Sequence, residues 1–250
     1  MGTSDSAEPY LCTNCRRPQP LTFTSWKCPV CSGVLGLPAA VPFDPAQVDA
    51  RAPGVGRYRH TFPLSAAVPP VSLGEGGTPL VPVTASGRTV FFKQEGLNPT
   101  GSFKDRGMAV LLAGLRAIGV QEAIEDSSGN AGAAFAGYAA RAGVRARVFV
   151  PANASGPKRR QIEAYGAEVV AVDGPRSQAA EAARAAAAAG AVYGSHIFNP
   201  LGLAGNATAA FEMWEQLGEA PEAVILPVGH GTLLLGLHRG FQALLAGGLL

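Results

Sequence analysis

From residue 88 onward the sequence repeats one alternation, a β-branched or aromatic run, a turn, then a stretch with helical apolar spacing. "TVFFKQE" reads as a strand. "FKDRGMAVLLAGLRAIG" reads as a helix with Met108, Leu111, Leu112 and Leu115 on one face and Gly119 as its stop. "NAGAAFAGYAARAG" is a second helix, presenting Phe135, Tyr138 and Ala142, and "VRARVFVP" is a strand. "SGPKRRQIEAYG" is a helix with Ser155 as cap and Gly166 as stop, followed by the strand "AEVVAVD" and an alanine-rich helix. "AVYGSHIF" and "AVILPV" are strands, each leading into a helix, "GNATAAFEMWEQLG" and "LLLGLHRGFQALLAG". Such alternation restricts the chain to the α/β class, with a mainly parallel sheet covered by helices. Residues 37–70, rich in proline, read as a linker or as an extended segment wrapped over the body.

Open parallel sheets bind ligands at the carboxyl ends of their strands. Three strand-to-helix loops carry glycines and small polar residues there: "NPTGSFKDRG", "DSSGNAG" and "PVGHGT". In the last, Gly229 and Gly231 expose backbone N–H groups at a helix start, and Thr232 adds a hydroxyl; a phosphate cradle or a simple tight turn both satisfy this. Ser127, Ser128 and Asn130 suit helix capping, carboxylate binding, or both. In the first loop Ser102 can cap a helix with Asp105 as an acidic capping-box partner, which puts Lys104 in the first turn. A cation is disfavoured at the positive end of a helix dipole, so the amine is poised for nucleophilic work. Read alone, Lys104 is better explained as a solvated lysine beside an acid. A phosphate cradle, a carboxylate turn and a poised amine together are the parts that pyridoxal phosphate and an amino-acid substrate require.

These loops, in this order, resemble the fold-type-II pyridoxal-phosphate enzymes, and within them threonine synthase and its relatives. "GEGGTPL", "GPKRRQIEAYGAEVV" and "FNPLGLAGNATAAFE" match as well, so the likeness runs over about residues 10 to 246. The resemblance implies two mainly parallel sheets with flanking helices. It implies that Lys104 carries the cofactor as a Schiff base and then serves as general base, with Phe103 packed beside it. Asn130 is implied to bind the cofactor's ring hydroxyl, and Gly229, His230, Gly231 and Thr232 its phosphate. Ser127, Ser128, Gly129 and Ala131 are implied to hold the substrate carboxylate. The implied reaction converts O-phosphohomoserine and water to threonine and phosphate. A related replacement on another amino acid such as phosphoserine, as in cysteate synthase, is the alternative, and a truncated non-catalytic member is a further one. The family's arginine for the substrate phosphate is replaced by Gly202, and its glycine loop reads Gly-His-Gly-Thr. The likeness also leads us to expect more chain after Leu250, carrying the remaining strands of the large domain, and a homodimer.

All four cysteines lie within the first 31 residues, as Cys12-x-x-Cys15 and Cys28-x-x-Cys31 with twelve residues between the pairs. Two such knuckles close a tetrahedral thiolate shell around zinc, with two disulfides or idle thiols as alternatives. Four thiolates leave no open position, so the metal is expected to be structural. A zinc ribbon of this kind also precedes some archaeal threonine synthases and cysteate synthases. Gly33 follows the second pair, where a knuckle wants a permissive backbone. The expected division is a ribbon over 1–36, a linker and the first part of the large cofactor domain over 37–106, a small domain with the asparagine loop over 107–200, and an incomplete remainder of the large domain over 201–250.

With 20 basic and 18 acidic side chains, no field is set up for nucleic acid or an anionic membrane. Arg16, Arg17 and Lys27 make the ribbon only mildly basic. No apolar run is long enough to span a bilayer. The N-terminal stretch "MGTSDSAEPYLC" is acidic and lacks the apolar run of a signal peptide, so the expected location is the cytoplasm, with reduced thiols.

Overall fold

A computed structural model describes residues 10–20, 22–154 and 156–250. The expected helix cap Ser155 and the first nine residues lie outside these. The ribbon comes first, as three short antiparallel strands, β1 (Tyr10–Cys12), β2 (Pro18–Gln19) and β3 (Leu35–Gly36), with β1 in the middle. Its small core is Tyr10, Cys12, Cys28 and Leu35.

The proline-rich stretch is a wrapping segment, not a free linker. Phe43, Val55, Tyr58, Phe62 and Val71 are buried in the main core, and Phe43 stacks on Phe211 at 4.5 Å between ring centroids. Tyr58 donates its hydroxyl to Glu215 at 2.7 Å.

Next comes a hairpin, β4 (Leu80–Ala85) and β5 (Arg88–Lys93), paired antiparallel. Its turn residues Ser86 and Gly87 both have positive φ, the geometry a two-residue hairpin loop demands. After it the chain alternates as expected as far as α4 and then runs from helix to helix: α1 (Lys104–Ala117), β6 (Glu122–Glu125), α2 (Asn130–Ala142), β7 (Arg145–Pro151), α3 (Gly156–Ala164), β8 (Glu168–Val172), α4 (Arg176–Ala188), α5 (Leu201–Leu217) and α6 (Thr232–Ala246). Strands β6, β7 and β8 form one parallel sheet in that order, with Ala123 opposite Ala146 and Val148 opposite Val169. Met108, Leu111, Leu112, Leu115, Phe135 and Tyr138 are buried between α1, α2 and the sheet, the helix faces expected from their spacing.

Two expected strands do not form. "AVYGSHIF" contributes only one parallel bridge, Tyr193 to Ile124, before turning away. "AVILPV" is irregular, and Ile225 is 97% exposed. An apolar run becomes a strand only when a neighbour accepts its hydrogen bonds and covers its faces; among the described residues 223–228 has no such strand neighbour, and only Val224 and Leu226 on one face are partly covered, against Ala209, Ala210, Met213 and Leu237.

Small residues set the distance between α1 and α5. A Cβ on Gly205 would lie 2.0 Å from the Arg106 carbonyl oxygen, and one on Gly107 would lie 2.9 Å from that of Gly202. The two helices therefore touch backbone to backbone, which draws the start of α1 against α5.

Candidate functional site

Lys104 opens α1, and its side chain is buried. The expected capping box is replaced by another arrangement. Ser102 Oγ accepts the Lys104 amide at 3.3 Å, but Asp105 turns back to Thr100, whose amide donates to Asp105 Oδ2 at 2.7 Å and whose hydroxyl also donates to Asp105. Burial pushes the Asp105 carboxyl up to about 6. The turn before α1 is thus tied from inside, where no water competes, and Lys104 is aimed by it.

The amine meets the glycine loop. Lys104 Nζ lies 2.6 Å from His230 Nε2 and 3.4 Å from Thr232 Oγ1, and 4.5 Å above the Phe103 ring centroid. Burial lowers its pKa to about 8, with Glu125 pulling the other way. Burial and then the charge of Lys104 hold His230 down at about 4, so the imidazole stays neutral and can accept from the ammonium. The first turn of α6 has no side-chain cap, and Gly231 before it takes φ +84°, a left-handed conformation suited to glycine. No atom lies within 4 Å of a Cβ placed on Gly229 or Gly231, so there is room at these backbone N–H groups for an anion.

The second loop approaches through a pair of residues that sequence reasoning missed. Glu125, at the end of β6, is fully buried and faces His196, with Oε1 at 2.5 Å from Nδ1 and Oε2 accepting the His196 amide at 3.1 Å. The His196 ring packs edge to face on His230 at 4.9 Å. Glu125 is followed by Asp126, which Arg176 grips at 3.1 Å, and then by Ser127, Ser128 and Gly129 leading into α2. The α2 N-terminus has no side-chain cap, and Ser127 Oγ accepts the Gly129 amide at 3.3 Å. Asn130 is exposed, Ala131 is buried, and neither Ser128 nor Asn130 has a side-chain hydrogen bond among the described residues. The structure therefore joins Lys104, Phe103, His230 and Thr232 directly. It leaves the expected carboxylate turn at the end of β6, where among the described residues no side chain accepts the Ser128, Asn130 or Ala131 amides.

Arg106, two residues after Lys104, carried no signal in the sequence beyond its place in "FKDRG". It is fully buried and binds Glu95 and Glu212 at 2.7 Å, with Thr78 and Thr208 completing its shell. Lys93 adds a second cation to Glu212 at 2.7 Å. Burial works against the Glu212 charge, but these cations hold its pKa down at about 2. The network ties the end of β5, the "GEGGTPL" loop, α1 and α5 into one block beneath Lys104.

In the ribbon the four sulfurs converge, all within 4.8 Å of one another, with Cys12 and Cys31 Sγ at 3.5 Å and Cys15 and Cys28 Sγ at 3.8 Å. The left-handed positions are Arg16 and Ser32, one after each pair, instead of Gly33. Gly33 serves close packing, since a Cβ there would meet Asn14 Cβ at 2.8 Å and Cys12 Sγ at 2.9 Å. A four-sulfur cluster held by two knuckles fits a tetrahedral metal. Trp26, between the pairs, packs edge-on to Tyr193 at 5.2 Å, and Asn199 donates to the Phe23 carbonyl at 2.9 Å. The ribbon thus abuts the segment that bears His196. No helix among the described residues is long and apolar enough to cross a membrane.

A buried amine at a strand-to-helix junction, facing an uncapped helix start, defines an α/β protein suited to an anionic ligand with a carbonyl group. Residues 71–248 match the family model described as pyridoxal-phosphate dependent enzyme, and the chain belongs to that family. It is 41% identical over 214 residues to a threonine synthase of Synechocystis sp., covering 82% of this chain and 56% of that protein. It is 40% identical over 197 residues to a threonine synthase of Mycobacterium bovis, covering 76% and 54%. The chain thus spans about half the length of the curated relatives it matches. Among solved structures it is similar to a pyridoxal 5'-phosphate-dependent aspartate racemase (TM-score 0.61, 32% identity, 68% of this chain and 55% of that one). It is also similar to maize serine racemase (TM-score 0.61, 28% identity, 66% and 52%). The α/β fold expected from the alternation is the fold of these proteins.

Proposed function

We propose that this chain carries the cofactor site of a pyridoxal-phosphate-dependent carbon–oxygen lyase of threonine synthase type, acting on O-phosphohomoserine and water to give threonine and phosphate. The observation that carries the reading is the buried Lys104 amine, directed at His230 and Thr232 with its pKa brought down to about 8. When bound, pyridoxal phosphate supplies an electron sink for charge developing at the substrate's α-carbon. Lys104, with Phe103 beside it, would hold the cofactor. Asn130 would reach its ring hydroxyl, and Gly229, His230, Gly231 and Thr232 its phosphate. The fit rests on the uncapped α6 N-terminus and the open space over Gly229 and Gly231. Ser127, Ser128, Gly129 and Ala131 would receive the substrate carboxylate at the equally uncapped α2 N-terminus. A lysine half-deprotonated near pH 8 can take the α-proton and return it elsewhere on the substrate. Neutral His230 accepts a hydrogen bond from the ammonium form and adds no repulsion.

Cys12, Cys15, Cys28 and Cys31 would hold one structural zinc. The reading includes a cytoplasmic homodimer with no nucleic-acid partner. A second reading, replacement chemistry on phosphoserine, is favoured by Gly202. It lies in the first turn of α5 against Gly107 and offers no side chain to a substrate phosphate. A third, cofactor binding without turnover, is favoured by the exposed Ile225 and Val228 beside the glycine loop.

Adding pyridoxal phosphate to purified protein should produce a visible absorbance band, and borohydride should fix the cofactor on the Lys104 peptide. Lys104→Ala should abolish both. A colourless protein with no labelled peptide would refute the reading. Phosphate release from O-phosphohomoserine, set against O-phosphoserine, decides between substrates, and a band without release from either supports the third reading.

A further inference from the structure

Lys104 is not the sole group in the site able to move a proton. His196 stands in the segment between Tyr193 and α5, with most of its ring covered. Both oxygens of Glu125 turn to it, one to Nδ1 and one to its backbone amide. The ring is therefore fixed in orientation from the buried side, and Nε2 has no hydrogen-bond partner among the described residues. Its edge-to-face contact with His230 places it one imidazole away from the Lys104 amine. A carboxylate that holds one ring nitrogen of a histidine fixes its tautomer and leaves the other nitrogen to exchange protons. Burying Glu125 completely is costly for its charge, and His196 offsets that cost.

The geometry points to Glu125 and His196 as an acid–base dyad that serves the group leaving the substrate and the group replacing it. The assignment rests on the elimination and replacement chemistry proposed above. As the carbon–oxygen bond breaks, the departing oxygen keeps the bonding pair and takes the Nε2 proton of the His196 imidazolium, whose Nδ1–H stays with Glu125. As water adds, its oxygen supplies the pair for the new carbon–oxygen bond and one of its protons returns to Nε2. The imidazole ends as it began. Lys104 remains free for the α-proton. The charged or titratable groups facing His196 are Glu125 from the end of β6 and His230 from the loop before α6. Asp126, from the same end of β6, also faces it, with a carboxylate oxygen within 4.8 Å of a His196 ring nitrogen while Oδ2 is held by Arg176, and Lys104 lies beyond His230.

The test uses the full chain loaded with pyridoxal phosphate, with His196→Gln and Glu125→Gln compared only where the visible band is retained. Three readouts are taken. Carbethoxylation by diethyl pyrocarbonate, located by peptide mass spectrometry, should modify His196, and saturating O-phosphohomoserine or O-phosphoserine should slow that modification at least about tenfold. Nitrogen-15 imidazole spectra should show Nδ1 of His196 protonated whether or not Nε2 carries a proton, and Glu125→Gln should abolish this preference. Phosphate release should fall about 100-fold or more in kcat for His196→Gln, the range for loss of a proton-transfer group, with KM little changed and the pH profile flattened on one limb. Glu125→Gln should fall less and shift that limb. Wild-type release by His196→Gln would overturn the dyad and leave the cofactor assignment intact, and so would equal carbethoxylation with and without substrate. A missing band in the wild-type protein sinks the cofactor assignment instead.

Discussion

Two β regions of this molecule come from comparably apolar sequence and end in opposite states. In the parallel sheet Ile124, Val148 and Val150 are fully buried. In the β4–β5 hairpin Val81, Val83, Val90, Phe91 and Phe92 remain 39% to 51% exposed, and Ile225 in the irregular stretch 223–228 is 97% exposed. Intrinsic strand preference does not separate them. Neighbours do: β7 has a strand on each side and packs against α2 and α4. The hairpin is sustained by its Ser86-Gly87 turn and its own ladder, and 223–228 has no ladder among the described residues. The lesson is that β structure is specified by what covers it. The candidate site lies along the seam between the two regions, with Lys104, Glu125 and His196 from the closed side and His230 from the open side.

The largest expected effect comes from cutting the tie between the regions. Arg106 joins Glu95, next to β5, to Glu212 in α5, and it is wholly buried. Arg106→Met removes the cation and leaves two inward carboxylates facing each other. Stability should fall by about 3–5 kcal/mol, the cost of stranding buried charge. Urea unfolding measures this, and a loss below about 1 kcal/mol would mean that the hairpin is held to the body by other contacts.

The ribbon is the next place to press. Cys28→Ser should remove one zinc per chain from metal analysis, since a tetrahedral thiolate site rarely survives the loss of a ligand. Trp26 emission should change with it, because Trp26 packs on Tyr193 and Phe198 of the body. Unchanged emission would separate the ribbon from the His196 segment it abuts.

Much of the closed region was legible in the sequence. Helical spacing placed Met108, Leu115, Phe135 and Tyr138, and glycines marked the ends of α1 and α3, because in a covered region local pattern and final environment agree. The knuckle spacing placed the sulfurs for the same reason. The open region misled, since "AVILPV" has the composition of a buried strand and no way to state what should bury it. At the site, Lys104 and the glycine loop were legible as a motif. Glu125 and His196 were not, because they lie 71 residues apart and meet only through the fold. Asp105 was assigned to a capping box by spacing alone, whereas the folded turn offered it Thr100 at closer range.

A smaller effect tests the closed side's hold on the amine. Lys104 is at about 8 because of burial, and Glu125 opposes that shift. The neutral amine is the reactive form, so capture of pyridoxal phosphate at Lys104, followed by borohydride trapping, should rise with pH and reach half its maximum near 8. A surface lysine would reach it near about 10.4. Glu125→Gln removes the opposing charge and should move the midpoint lower still. A wild-type midpoint above about 10 would mean that the amine is solvated in solution and that the seam stands open.

The smallest effect is the sharpest check on the comparison. Ile225→Thr exchanges an apolar side chain for a polar one at a position 97% exposed, where no contact is lost. The change in stability should stay within about 0.5 kcal/mol. Ile124→Val removes one methylene from a fully buried position in β6 and should cost about 0.5–1.5 kcal/mol. The more drastic chemical change is thus expected to have the weaker effect, because cover and not residue type sets the cost. If Ile225→Thr costs as much as Ile124→Val, the stretch 223–228 is covered in solution, by a second copy or another chain. The contrast between the two regions would then be one of assembly and not of folding.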